Sequence, residues 1–208
     1  MISGPDSEEA PLETTGPRLL VGLGNPGPQY VATRHNVGFD TLDLFAHRLG
    51  FEPQPLEKHG QRWGDLLVAS DQSFALLWPL VFMNRSGGAV AVALEELNSS
   101  PAQTLVITDD YHLPLGALRI RGTGSCGGHN GLMDIQAQLG TEDYGRLRLG
   151  VGGPGEDPVD FVLDTFREIE KKTVQEMLEK ASWAAEDWVK GSSLEELQTR
   201  YNRRKPQA

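Results

Sequence analysis

The chain has 208 residues, 38% of them hydrophobic, one cysteine and a formal net charge of −10 at pH 7. That length suffices for one domain with a substantial core, and a single cysteine excludes an intrachain disulfide and fits a reducing, cytoplasmic setting. No stretch reaches the length of a membrane span or forms a secretory signal, and the negative balance argues against coating nucleic acid by bulk charge, though not against a local basic face.

Residues 1–17 carry Asp6, Glu8, Glu9 and Glu13 with no base among Pro, Ser and Thr, and are read as a disordered acidic tail. The folded domain is expected over 18–208. Its first element is a strand at 18–22, which runs into Gly22-Leu23-Gly24-Asn25-Pro26-Gly27. These letters spell the dinucleotide fingerprint, but that motif turns directly into a helix whose N-terminus holds a pyrophosphate. Here Pro26 and Pro28 interrupt the turn, and a helical pattern starts only near His35. Asp40 and Asp43 fall inside that helix, not after a second strand. The nucleotide reading is therefore set aside.

The spacing predicts a helix over 35–49 ended by Gly50, then a hairpin of strands 63–69 and 74–78 around Asp71-Gln72. A helix at 84–97 follows, with Gly87-Gly88 suited to close packing at its start. Strands at 104–108 and 117–121, a helix at 129–139 and a strand at 147–151 come next. From Glu168 onward the pattern is helical, with Val174, Met177, Leu178, Ala181, Ala185 and Trp188 forming one apolar stripe. Trp183 and Trp188 are both read as packing residues. This order implies a single α/β domain: a mixed, largely parallel sheet with helices on both faces and C-terminal helices.

In such folds the site lies beyond the carboxyl ends of the strands. The unusual residues fall there: Asn25, Thr33-Arg34-His35-Asn36, Phe82-Met83-Asn84, Asp109-Asp110 and Gly127-Gly128-His129-Asn130. Taken singly, each is an ordinary turn or cap residue; together they form a plausible hydrolytic set. A neutral imidazole takes a proton from water, a carboxylate on its other nitrogen fixes the tautomer, and asparagine amides bind without adding charge. Metal ligation by His35, His129 and Asp109 lacks any recognised ligand spacing, so no metal or cofactor is expected. No serine or cysteine sits in a nucleophile motif.

The runs GLGNPGPQYVATRHNVGFD, VFMNRSGGAV, the DD-x₂-LPLG segment and GGHNGL resemble the bacterial-type peptidyl-tRNA hydrolases, in order and at fitting separations from about Leu19 to the C-terminal helices. The resemblance implies a monomeric, metal-independent enzyme. Such an enzyme cleaves the ester joining a peptide to the 3′ ribose of tRNA, recycling tRNA from chains dropped by ribosomes. By motif, His35 would activate water, Asp109 would orient His35, and Asn25 would contact the peptide and help separate N-blocked from free aminoacyl-tRNA. Tyr30, Phe82, Asn84 and Asn130 would line the cleft for the peptide and terminal adenosine, with Met83 and His129 supporting. Arg119, Arg121, Arg146 and Arg148 would face phosphates of the acceptor stem.

Two departures stand out. His112 occupies a place where the family often has an acid, and a second imidazole near Asp109 could compete for its carboxylate. The 153–158 loop is acidic where relatives often carry a lysine. The rival reading is a non-catalytic RNA-binding adaptor on the same fold.

Overall fold

The computed structural model describes residues 16–153 and 157–202. The 1–15 part of the expected tail, residues 154–156 of the acidic loop, and residues 203–208, which include a short basic run, Arg203-Arg204-Lys205, lie outside the described residues. At the start of the described residues, the Ser99 hydroxyl donates to the Pro17 carbonyl (2.8 Å).

Seven strands form one sheet in the order β2-β3-β4-β1-β5-β7-β6. The centre is parallel: β1 (Arg18–Gly22) runs alongside β4 (Phe74–Pro79) and β5 (Thr104–Asp110), and β5 alongside β7 (Gly145–Gly150). Each flank is antiparallel, through β2 (Gln54–Lys58) and β3 (Gln61–Val68) on one side and β6 (Leu118–Arg121) on the other. The expected fold class holds. Continuous burial of Leu19, Leu20 and Val21 is what a central strand covered on both faces requires.

One face packs on α1 (Val37–Leu49) and α5 (Lys171–Val189), where Leu20, Leu42, Phe45, Ile107 and Leu149 meet the expected α5 stripe. The other packs on α2 (Ser86–Glu96) and α3 (Asn130–Leu139), around Val21, Val90, Val106, Leu132 and Ile135. The Trp pair splits. Trp188 is buried in the first core, whereas Trp183 is 51% exposed and does not pack there.

The glycine fingerprint serves helix–strand contact, not a cofactor. A Cβ on Gly22 would lie 2.5 Å from the Gly38 carbonyl oxygen, and one on Gly38 would lie 2.4 Å from the Leu23 nitrogen. The paired glycines thus let α1 cross β1 at backbone contact. No helix begins at Gly27: short 3₁₀ turns at Pro28–Tyr30 and Arg34–Asn36 intervene before Val37. Gly50 ends α1 in the left-handed conformation, as expected. Gly87 is likewise a contact residue, its Cβ position 2.3 Å from the Asp134 carbonyl oxygen of α3.

Two elements escape the sequence reading. β2 is an edge strand in which only Leu56 is buried, so it lacks the alternation that marks a half-buried strand. α4 (Pro158–Leu163) is a six-residue helix capped by the Asp157 carboxylate, too short to display a 3.6-residue period. The helical stretch expected from Glu168 onward comprises two helices, α5 ending at Val189 before α6 (Leu194–Tyr201).

Candidate active site

The carboxyl ends of β1 and β5 deliver the two polar residues around which the site is built. β1 leads to Asn25, which is buried and fully tied down. Its backbone N–H donates to Asn36 Oδ1 (2.9 Å) and its carbonyl accepts from Asn36 Nδ2 (3.0 Å). Its side-chain Oδ1 accepts from the Met83 backbone N–H (2.9 Å). A backbone N–H can only donate, so these bonds settle which end of the Asn25 amide is the oxygen. The Nδ2 end is left as the donor available to a ligand.

β5 carries Asp109 and Asp110, both buried. Asp109 Oδ1 lies 2.8 Å from His35 Nδ1 and 3.0 Å from His129 Nε2. The two rings are 5.0 Å apart and tilted by 45°. Burial alone would push the Asp109 carboxyl up, but its interactions with His129 and then His35 hold it well below the usual carboxylate range. Asp109 is therefore an anion at neutral pH and accepts from both rings.

The proton positions follow. His35 carries its hydrogen on Nδ1, leaving Nε2 with a bare lone pair suited to take a proton from water. His129 caps α3: its Nδ1 accepts from Gly131 N–H (3.1 Å) and Leu132 N–H (3.3 Å). That nitrogen must be bare and Nε2 must carry the hydrogen. Among the described residues, His35, Asp109 and His129 form the one group that could hold a metal on proximity, with ligand atoms within 4.8 Å of one another. The chemistry of the donors does not fit. Both nitrogens facing the carboxylate carry hydrogens, and the His129 lone pair belongs to its helix.

The loop bearing His35 is pinned from behind. Arg34 is buried between the rings of Phe161 and Phe166 (4.4 and 4.5 Å to the centroids) and pairs with Glu170 at 2.9 Å. Burial pushes Glu170 up, yet the hydrogen bonds from Arg167 and Arg34 bring it down to about 2. Neither Asn36 nor the Arg34–Glu170 pair was assigned a role from the sequence. Their partners lie 11 and 136 residues away, which no local pattern reveals.

The expected cleft residues differ in burial. Tyr30 is half-buried, Phe82 is 59% exposed, and Asn84 and Asn130 are exposed at the starts of α2 and α3. Met83 is buried, its sulfur 2.6 Å from where a Cβ on Gly131 would stand, so it packs under the cap of α3. His112 does not compete for Asp109. It is exposed, with its ring against Tyr111 (4.3 Å) and its backbone N–H donating to Asp110 Oδ1 (2.9 Å). The second imidazole on Asp109 is His129.

The four arginines share one face of the β6–β7 pair, Arg119 opposite Arg148 and Arg121 opposite Arg146. They are not equivalent. Arg121 is exposed and Arg119 half-buried, while Arg148 approaches Asp110 Oδ2 through Nε (3.1 Å). Arg146 is 1% exposed, stacked on Tyr144 at 4.1 Å and donating to the Glu142 carbonyl (3.2 Å). The expectation that Arg146 faces phosphates is thus corrected: it is buried on β7, an interior strand, with its guanidinium against Tyr144.

A sequence profile described as peptidyl-tRNA hydrolase matches residues 19–208. The peptidyl-tRNA hydrolase of Shouchella clausii is 44% identical over 184 residues, covering 88% of this chain and 98% of that protein. One from Levilactobacillus brevis is 39% identical over 186 residues, covering 89% of this chain and 100% of that protein. The crystal structure of peptidyl-tRNA hydrolase from Acinetobacter baumannii superposes with a TM-score of 0.80 at 29% identity, covering 92% of this chain and 97% of that one. The chain belongs to the peptidyl-tRNA hydrolase family.

Proposed function

We propose that this protein hydrolyses the ester between a peptide, or an N-blocked aminoacyl group, and the 3′ ribose of tRNA. It thereby recycles tRNA from peptidyl-tRNA released prematurely by ribosomes. The observation that carries the reading, beside family membership, is the His35–Asp109 contact with Nε2 of His35 left bare. His35 takes a proton from water as the oxygen attacks the ester carbonyl, and Asp109 holds the ring in that tautomer and stabilises the imidazolium. The proton then passes to the departing 3′ oxygen. An ester needs less activation than an amide, so one base with polar positioning suffices.

Asn25 enters as a donor. Its Oδ1 is occupied by Met83, so its Nδ2 faces a substrate carbonyl. An N-acyl group supplies such an acceptor, whereas a free ammonium offers only hydrogens and loses its hydration without compensation. That asymmetry supports selection of blocked over free aminoacyl-tRNA. Tyr30, Phe82, Asn84 and Asn130 line the approach, and Arg119, Arg121 and Arg148 form the face for acceptor-stem phosphates. The enzyme acts without a metal, as a cytoplasmic monomer. No helix among the described residues is long and apolar enough to cross a membrane.

The test is hydrolysis of N-acetyl-aminoacyl-tRNA beside its unblocked counterpart, with EDTA present. The wild type is expected to cleave the blocked substrate selectively. His35→Ala is expected to lose about 10²–10⁴ in kcat while still binding tRNA. Near-normal kcat in the variant would remove His35 as the base. Binding without cleavage by the wild type would instead indicate the RNA-binding adaptor.

A further inference from the structure

The hydrolytic pair leaves one buried imidazole without a role. We propose that His129 is a positioning residue: a hydrogen-bond donor that shares Asp109 Oδ1 with His35 and thereby restrains the basicity of His35. The inference rests on the ester-hydrolase reading above, and three observations support it.

The first is that both imidazoles approach the same carboxylate oxygen, at 2.8 and 3.0 Å. An anion that accepts two hydrogen bonds is better satisfied, and offers less to each donor, than one that accepts a single bond. Were His129 absent, the whole charge of Asp109 would favour the imidazolium of His35. More of the base would then be protonated before substrate arrives.

The second is the cap of α3. Charging His129 requires a hydrogen on Nδ1, where the N–H groups of Gly131 and Leu132 already point. A helix N-terminus also disfavours positive charge. Of the two rings, only His35 is free to gain and release a proton. The shared carboxylate therefore acts on one base, and the direction of transfer is unambiguous.

The third is burial, which keeps water from replacing either donor. Both side chains are at most one-tenth exposed, and Asp109 less.

Most charged groups on the surrounding elements are otherwise engaged. Asp110 faces Arg148, Arg34 pairs with Glu170, and Asp134 accepts from the Gly87 N–H. Arg85 and His112 are exposed, and Tyr30, Tyr111 and Cys126 are half-buried on the adjoining loops. Asp40 on α1 is the exception. Burial, and then Asp43 one turn on, raise it to about 7, so it titrates in the range of interest and is removed from the test by Asp40→Asn.

The decisive variant is His129→Asn in that background. Asparagine is a strong N-cap and keeps the acceptor for the α3 amides, but it is too short to reach Asp109. Two readouts are taken: the pH dependence of kcat/KM on N-acetyl-aminoacyl-tRNA and the NMR titration of the His35 ring. We expect the His35 midpoint and the acid limb of the rate profile to move up together by about one pH unit. Below the limb that is roughly a tenfold loss of rate, with KM unchanged and the alkaline plateau kept. His129→Ser, another cap without reach, is expected to give the same shift. An unchanged or lowered His35 midpoint in either variant overturns the proposal. The NMR midpoint does not depend on turnover. A wild type that fails to hydrolyse the substrate would sink the function and leave this question still decided by the titration.

Discussion

Asp109 and Asp110 are adjacent on one strand, yet they govern two regions with opposite character. Asp109 meets His35, from the turn before α1, and His129, from the cap of α3, and fixed partners assign the hydrogens of both rings. On the side of α3, Asp110 meets Arg148 within a row of four arginines placed pairwise opposite one another. The first region is pre-organised: every polar atom has one orientation, as a site acting on developing charge requires. The second is an electrostatic surface with graded exposure, where like charges face each other and only part of the positive charge is neutralised. Strand alternation alone separates the two. Under the proposed function, one carboxylate serves chemistry, and its neighbour sets how much of the arginine row stays available to phosphates.

The comparison is broken most severely at Asp109. Asp109→Asn replaces the charged acceptor shared by two rings with a neutral amide. Its NH₂ favours the wrong tautomer of His35. We expect kcat to fall by about 10²–10⁴ with tRNA binding retained, measured by single-turnover hydrolysis. Retention of wild-type kcat would show that the carboxylate is dispensable.

The arginine row is expected to give three signatures. Arg121→Ala should raise KM several-fold, leave kcat alone and reduce the log–log salt slope of tRNA binding by about one. Arg148→Ala should do the same and also lower the Tm, because Asp110 is left buried without its cation. Arg146→Ala should lower the Tm by several degrees through the cavity beneath Tyr144 and leave the salt slope untouched. A salt effect at Arg146 would contradict its burial.

A smaller effect is expected at Asp40. Its folded pKa of about 7 lies above the value near 4 of an unfolded aspartate. The unfolded chain therefore releases this proton first, and the carboxyl withdraws stability progressively from about pH 4 to about pH 7, with no further loss above. Asp40→Asn should raise the Tm by a few degrees at pH 8, the gain vanishing as pH falls to 4. A gain of equal size at both pH values would exclude the carboxyl as its cause.

Much of this molecule was legible before its coordinates. Unbroken apolar runs marked the central strands, and the α5 stripe and Gly50 marked helix faces and ends. Asparagine, histidine and aspartate placed after strands marked the candidate site. What stayed hidden lacks a local period or has remote partners. β2 buries one side chain, α4 is shorter than two turns, and Asn36 and Glu170 act on residues far along the chain. The resemblance grouped Arg119, Arg121, Arg146 and Arg148, but their shared face comes from the β6–β7 register and their different depths from the packing.

The sequence by itself determined the fold class, the family and which residues gather at the strand ends, because periodicity and motif order are properties of the chain. Only the tertiary structure decided that Asn25 presents its donor end, that Arg146 is a core residue, and that His129, not His112, is the second partner of Asp109. Each of these turns on which atom meets which across the fold, and a hydrogen bond is made by atoms in space, whatever their separation in sequence.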